Sequence, residues 1–548
     1  MSLKSFCFRH KTVLLIALTL GYLYLRGIGD HGLLDPLEGI HASVGLNAAA
    51  RGSSLMPEVG GVPYAGKSIG FWWLEALSLG FFGWGEFAVR LVPALSGLGM
   101  ALASAMVLGR ARPRGARLAA VLTGSMPLSF VASQLAAPHA LYACLVTFAL
   151  AAFVRAWEDR RHAVWAHAAA ALAFIVQGPE GLLLPWLCLY LYSVLTDDSA
   201  SLTGPLLYGP GVAVSALLVL GYVFLLYSKN PMILTLMGYR TPVFLPSLPL
   251  ALPMLLAGTV PWTGILWQAV TESWPRNGED LLNPEGPRLF LLLWAGIFLV
   301  FGVLMGDALA LVACLPPLAA LAGDRLDEWV EANEILRVQS SVALNILYIA
   351  LFLVLGLPVL LFGLPPFLSD AWSSILMWAF FMALVALAGW YYARTRQLVK
   401  LMRNVSAVAL MGLLPLAGAF DLVAERSSLH DEGTLLRGEM HRGDTLVQYA
   451  MNRPSLFFYT LRSSELINAP LVPGLLEQPT GSDTALHRLW GGKGRAFLLI
   501  ESEQTLHAPL PQDVNVIHDG GRVLLLSNRK TPLNAGALHP VSADVPFR

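Results

Sequence analysis

The chain is short of charge: Asp, Glu, Lys and Arg make up only 13% of its 548 residues. That is about half the share carried by an ordinary soluble domain, and it excludes a single soluble globule. No sign of charge is in excess either, because 36 basic residues cancel 36 acidic ones. A chain with no basic field is not expected to hold nucleic acid. Disorder is excluded too, since it requires low hydrophobicity with high net charge. Cysteine is equally scarce. Cys7, Cys144, Cys188 and Cys314 lie too far apart for a disulfide framework or a zinc site.

What the chain has in abundance is apolar sequence, 56% of residues. A helix needs about 20 mostly apolar residues to cross a bilayer. The first such run is Thr12 to Leu25, preceded by Lys4, Arg9 and Lys11 and followed by no convincing cleavage site, so it reads as an uncleaved anchor. Further runs fall near 86–109, 118–133, 140–155, 163–177, 181–196, 205–228, 244–268, 288–304, 308–322, 341–363, 372–393 and 404–419. The expected fold is a polytopic α-helical membrane protein of about 13 spans.

Loop charge supplies an orientation. With the N-terminus in the cytoplasm, Arg110, Arg112, Arg114, Arg117, Arg155, Arg160, Arg161, Arg276, Arg325, Arg337, Arg394, Arg396, Lys400 and Arg403 all fall inside. The opposite side of the membrane region receives only Arg26, Arg51, Lys67, Lys229 and Arg240. Two non-membrane parts then lie outside. One is the first loop, residues 27–85, within a membrane domain of residues 1–419. The other is the tail, residues 420–548, which reads as a small α/β domain. Its expected strands are 444–449, 495–500, 514–518 and 522–527, with a helix opened by Pro454 and a tight turn at Gly520-Gly521.

Charges beside the bilayer are costly, so the outer ones are the candidates for chemistry. Asp35, before Pro36, is either a helix cap or a catalytic carboxylate at head-group depth. Glu38 and His41, three residues apart on the helix that follows, share a face. Lys67, between Tyr64 and Trp72, and Arg240, beside Tyr239, are outer cations suited to a phosphate, or anchors at the interface. Glu86 and Arg90, four apart, read as a helix-end pair. His139, Glu180 and Asp307 are outer polar residues that a cap would also explain.

Several segments resemble the lipid A aminoarabinose transferases (ArnT-like), of the protein O-mannosyltransferase-type GT-C superfamily. They are Gly61-Val-Pro-Tyr64 with Lys67, Phe71-Trp-Trp-Leu-Glu-Ala-Leu-Ser78 and Phe82-Gly-Trp-Gly-Glu86-Phe-Ala-Val-Arg90. Gln177-Gly-Pro-Glu-Gly181, Gly238-Tyr-Arg240, Val260-Pro-Trp262, Leu315-Pro-Pro317 and Val447-Gln-Tyr-Ala-Met-Asn-Arg-Pro-Ser455 follow in family order.

The resemblance implies a GT-C fold with a periplasmic C-terminal domain, in a bacterial inner membrane. It implies an inverting glycosyltransferase that moves a sugar from a polyprenyl-phosphate donor to a lipid, glycan or protein acceptor on the periplasmic face. No cofactor is required, though a divalent metal is left open. Asp35 matches the acidic residue after the first span, Lys67 the lysine of a Glu-Lys-Pro-Pro segment, and Arg240 a phosphate-binding arginine. His139 stands where the family has an Asp and becomes a second catalytic candidate. Glu38, His41, Tyr64 and Tyr239 are accessory. Because several family segments are altered here, the alternative is a degenerate relative that binds a lipid-linked sugar and serves a partner subunit.

Overall fold

The computed structural model describes residues 3–529 apart from 52–54, 56, 67–68, 110, 198–203, 230–247, 283–286, 359–370, 477, 479, 493, 507 and 511–512. They form two compact units. The first takes in Arg90–Ser228 and Arg240–Ala419 with the N-terminal helix, and the second Gly29–Val89 with Phe420–Arg548.

The first unit is helical. Among the described residues of the chain, eight helices are long and apolar enough to cross a membrane, and a bent pair raises this to nine. That pair, Pro113–Ser125 and Pro127–Gln134, occupies the run expected to be one span and turns by 58° at its break. Pro127 causes the break, because its ring and missing N–H end the preceding ladder while suiting the first turn of the next helix. The runs at 12–25, 163–177 and 181–196 are shorter apolar helices, ending as Lys11–Leu25, His162–Gln177 and Glu180–Thr196. The run at 244–268 is divided between Leu248–Thr259 and Thr263–Ser273, with Pro261 between them. Helix packing relies on small residues, as membrane bundles do. A side chain on Gly115 would meet the Gly323 carbonyl at 2.8 Å, so the helices Pro113–Ser125 and Leu315–Glu331 approach backbone to backbone.

In the second unit, the first loop holds a β1–β2 hairpin (Glu58–Val59 and Val62–Pro63) between the helices Leu37–Arg51 and Ile69–Phe82. The tail builds a six-stranded sheet from β3 (Thr445–Tyr449), β4 (Glu465–Ile467), β5 (Thr480–Gly481), β6 (Ala496–Glu501), β7 (Asn515–Asp519) and β8 (Val523–Ser527). Strand order is β5-β4-β3-β6-β8-β7. The first four are parallel, and β8 and β7 are antiparallel additions. The centre of the sheet is buried on both faces, which explains the continuous apolar run of β6. Phe497 and Leu499 join a core with Leu429, Leu436 and Leu456. Ala496, Leu498 and Ile500, alternating with them, join Trp490 and Leu486 on the other face.

Candidate active site

Asp35 lies just before the helix Leu37–Arg51 and meets the tail of the chain. The backbone N–H of Ser455 donates to Asp35 Oδ1 at 2.9 Å, and the Ser455 hydroxyl donates to Oδ2. Neighbouring bonds fix this contact. Ser43 Oγ donates to the Pro454 carbonyl at 2.9 Å, and the Leu33 N–H donates to Tyr459 Oη at 2.8 Å. Gly39 is required at the crossing, because a Cβ there would lie 2.5 Å from the Ser455 nitrogen and 2.0 Å from Asp35 Oδ1.

Enclosure of the Asp35 carboxyl raises its pKa from the ordinary carboxylate range to about 6, against the lowering by the two Ser455 hydrogen bonds and the nearby Arg453 charge. Arg453 is itself held by Glu501, at 3.0 Å. A partly buried carboxyl that titrates near 6 can accept a proton at neutral pH, which is what a general base must do.

Glu38 and His41 are both buried on the same helix. Glu38 Oε2 accepts from the Leu34 N–H at 2.8 Å. His41 Nδ1 accepts from Trp72 Nε1 at 3.0 Å, so that nitrogen carries no proton. Tyr64 stands edge-on to His41 with ring centres 6.3 Å apart, and Trp72 closes the aromatic group. Asp35, Glu38, His41 and Tyr64 therefore belong to one neighbourhood of the second unit. Lys67, Tyr239 and Arg240 lie outside the described residues.

His139 belongs to the first unit, at the start of the helix His139–Ala156. Its Nε2 lies 2.7 Å from Asp307 Oδ2. The other Asp307 oxygen accepts from the Leu309 N–H at 3.0 Å, capping the turn Ala308–Cys314. The cap expected of Asp307 is thus present, and the same carboxylate orients His139. Glu86 accepts from Tyr459 Oη at 3.0 Å and lies 2.7 Å from His430 Nδ1. Among the described residues, no group of three or more His, Cys, Asp or Glu is gathered so as to hold a metal ion.

Two residues of this neighbourhood were not among the sequence candidates. Ser455 sits 420 positions from Asp35, and no local pattern could announce the contact. Glu75 is fully buried in Ile69–Phe82, with no hydrogen-bond partner on either oxygen among the described residues. Burial, with Glu38 nearby, raises its pKa well above the usual carboxylate value. A lone acid in an apolar helix was the signal that could have found it.

Residues 66–224 match the family model described as dolichyl-phosphate-mannose-protein mannosyltransferase. An undecaprenyl phosphate-α-4-amino-4-deoxy-L-arabinose arabinosyl transferase of Pseudomonas fluorescens is 27% identical over 436 residues, covering 75% of this chain and 74% of its own. The Pseudomonas aeruginosa protein of the same name is 25% identical, covering 74% and 76%. Among solved structures, ArnT from Cupriavidus metallidurans bound to undecaprenyl phosphate superposes with a TM-score of 0.77 at 20% identity, over 97% of this chain and 100% of that one. The same protein in the apo state superposes with a TM-score of 0.71 at 20% identity, over 94% of this chain and 98% of that one. The chain therefore has the fold of ArnT, a GT-C fold. In sequence it is similar to the undecaprenyl phosphate-aminoarabinose arabinosyl transferases.

Proposed function

We propose that this protein is an integral-membrane, inverting glycosyltransferase that takes a sugar from a polyprenyl-phosphate donor and places it on a lipid, glycan or protein acceptor at the periplasmic face. The observation that carries the reading is likeness to the arabinosyl transferases over three quarters of the chain. The enclosed Asp35 carboxyl supports it.

In the reaction, an acceptor oxygen attacks the anomeric carbon from the face opposite the phosphate, and the C–O bond to the polyprenyl phosphate breaks. Where the acceptor is a hydroxyl, Asp35 takes its proton, and Ser455 holds the carboxylate in place through both of its oxygens. Where the acceptor is a phosphate, it arrives already anionic and Asp35 orients it. Lys67 and Arg240 neutralise the charge that develops on the leaving phosphate. His139, oriented by Asp307, is the alternative acceptor of the hydroxyl proton. The orientation that this requires puts the N-terminus in the cytoplasm and both the first loop and the tail in the periplasm.

The test is transfer by the purified chain in nanodiscs, supplied with a polyprenyl-phosphate-linked sugar, alongside lipid mass spectrometry of a deletion strain. Loss of one sugar mass from a membrane lipid or glycan, restored by the wild-type chain but not by Asp35→Asn, is the expected result. A deletion strain with an unchanged profile and a purified chain that releases no polyprenyl phosphate would overturn the assignment.

A further inference from the structure

The first unit contains a cavity of about 550 Å³ that no step of the proposed reaction uses. At about 30 Å³ of liquid volume per water, it is far larger than a structural water site. Its lining comes from helix ends. Arg112 lies just beyond Glu86–Leu108, Trp157 just beyond His139–Ala156, and Arg288 opens Arg288–Met305. The loop-charge rule assigns these ends, with Arg155, Arg276, Arg325 and Arg337, to one side of the membrane. The cavity therefore sits at head-group depth in the leaflet that the charge rule makes cytoplasmic.

One wall is ionic. Arg288 is 6% exposed and donates through Nε to Asp324 and through Nη2 to Glu328, both at 2.7 Å. Arg112 reaches Asp324 at 3.5 Å and Glu331 at 3.1 Å through Nε and Nη1. Its Nη2 has no protein partner among the described residues. Glu158 lines the same cavity, is exposed, and its carboxylate has no ion pair among the described residues. The lining also includes the apolar side chains of Val107, Leu108, Val154 and Trp157, whose ring stacks on Tyr192 at 5.3 Å between centres.

A site with one guanidinium nitrogen and one carboxylate that have no protein partner among the described residues, beside apolar side chains, suits a ligand carrying both charges. A purely anionic ligand would meet the carboxylates of Glu158, Asp324 and Glu328. A purely cationic one would meet Arg112 and Arg288. We propose that this cavity binds a phosphate–ammonium zwitterion of the phosphoethanolamine type, with the phosphate on Arg112 and the primary ammonium on Glu158. The apolar side chains take the glycerol and first acyl carbons when the source is a lipid. The site lies wholly in the first unit and does not depend on which sugar or acceptor the enzyme uses.

The test is native mass spectrometry of the delipidated full chain, titrated with phosphatidylethanolamine or phosphatidylglycerol of matched acyl chains. The expected result is half-saturation by phosphatidylethanolamine at roughly fivefold lower concentration, the size of one interfacial charge contact. Arg112→Gln, at a partly exposed position, and Glu158→Gln, at an exposed one, should each erase that preference; Glu158→Gln should do so without changing the melting temperature or sugar transfer, because it leaves every ion pair of Arg112, Arg288 and Asp324 in place. Competition by soluble glycerophosphoethanolamine would assign the head-group chemistry to a soluble source. Failure to compete, with the lipid preference intact, would assign it to the bilayer. Equal binding of the two lipids by wild type, or a preference that survives both substitutions, would overturn the proposal.

Discussion

Asp35 in the second unit and Asp324 in the first are both carboxylates drawn away from water, but their partners are of opposite kinds. Asp35 is held by the neutral N–H and hydroxyl of Ser455, with Arg453 acting only through space. Asp324 is gripped by Arg288 at 2.7 Å and Arg112 at 3.5 Å. Neutral donors fix a carboxylate in position while leaving it an appreciable affinity for a proton. Guanidiniums engage it in ion pairs that join one helix to the next. The difference teaches that burial alone does not mark a reactive acid. The donor type separates a carboxyl held by neutral groups from one whose ion pairs tie helices together.

The largest effect expected from this contrast is on Asp35. Asp35→Asn should keep the contact to Ser455 but remove the base, lowering transfer by about 10²- to 10⁴-fold where the acceptor is a hydroxyl. The wild-type rate should rise as pH passes upward through about 6. The sign on stability is opposite: because the folded pKa lies above the unfolded one, this carboxyl adds stability below about pH 4 and loses it as pH rises through 6. Asp35→Asn should lack that dependence in a pH series of melting temperatures. An unchanged transfer rate in the variant would break the comparison at its first member.

Arg288→Ala tests the second member. It leaves Asp324 without its 2.7 Å partner in a site where Asp324 is only 4% exposed. Removing one partner of a buried pair costs about 3–5 kcal/mol. A large drop in melting temperature is expected, with the pH profile of the surviving activity unmoved. A shifted pH profile without loss of stability would give Asp324 a share in the chemistry.

Lys67→Ala and Arg240→Ala should each weaken binding of a polyprenyl phosphate in nanodiscs by about 10- to 150-fold, the size of one charge-assisted hydrogen bond. Unchanged affinity in both would place the phosphate elsewhere and leave Asp35 without a donor beside it.

Much of the fold was legible. Continuous apolar runs announced the helices, and the apolar stretch 495–500 announced β6 at the centre of the sheet. The turn at Gly520-Gly521 likewise announced the β7–β8 hairpin. The two outer strands, β4 and β5, were not legible, because three and two residues are too short to show a period. Pro127 was visible but was read through as part of one span, although a proline after a full apolar turn is where a helix breaks. At the site, Asp35, Glu38 and His41 were legible because they are near neighbours on one segment. The Ser455 contact was not, since it joins residues 420 positions apart and only tertiary folding makes it.

Ser455→Ala gives the smallest and most discriminating effect. It removes the hydroxyl bond to Asp35 Oδ2 and leaves the backbone bond to Oδ1 at 2.9 Å. The lost hydrogen bond favoured the ionised carboxylate, so its removal should raise the Asp35 pKa further above 6. At pH 6 the transfer rate should then fall by about threefold, because a net hydrogen bond of about 1 kcal/mol moves the pKa by about 0.7 and the ionised fraction falls accordingly. At pH 8, where Asp35 is ionised in both proteins, the rates should converge. A role confined to packing would lower the rate equally at every pH, because it would reduce the amount of folded enzyme and leave the titration untouched. A pH-rate profile of Ser455→Ala beside Ser455→Thr, which keeps the hydroxyl, separates the two. A uniform loss in both variants would show that Ser455 holds the loop and the tail together without tuning the carboxylate.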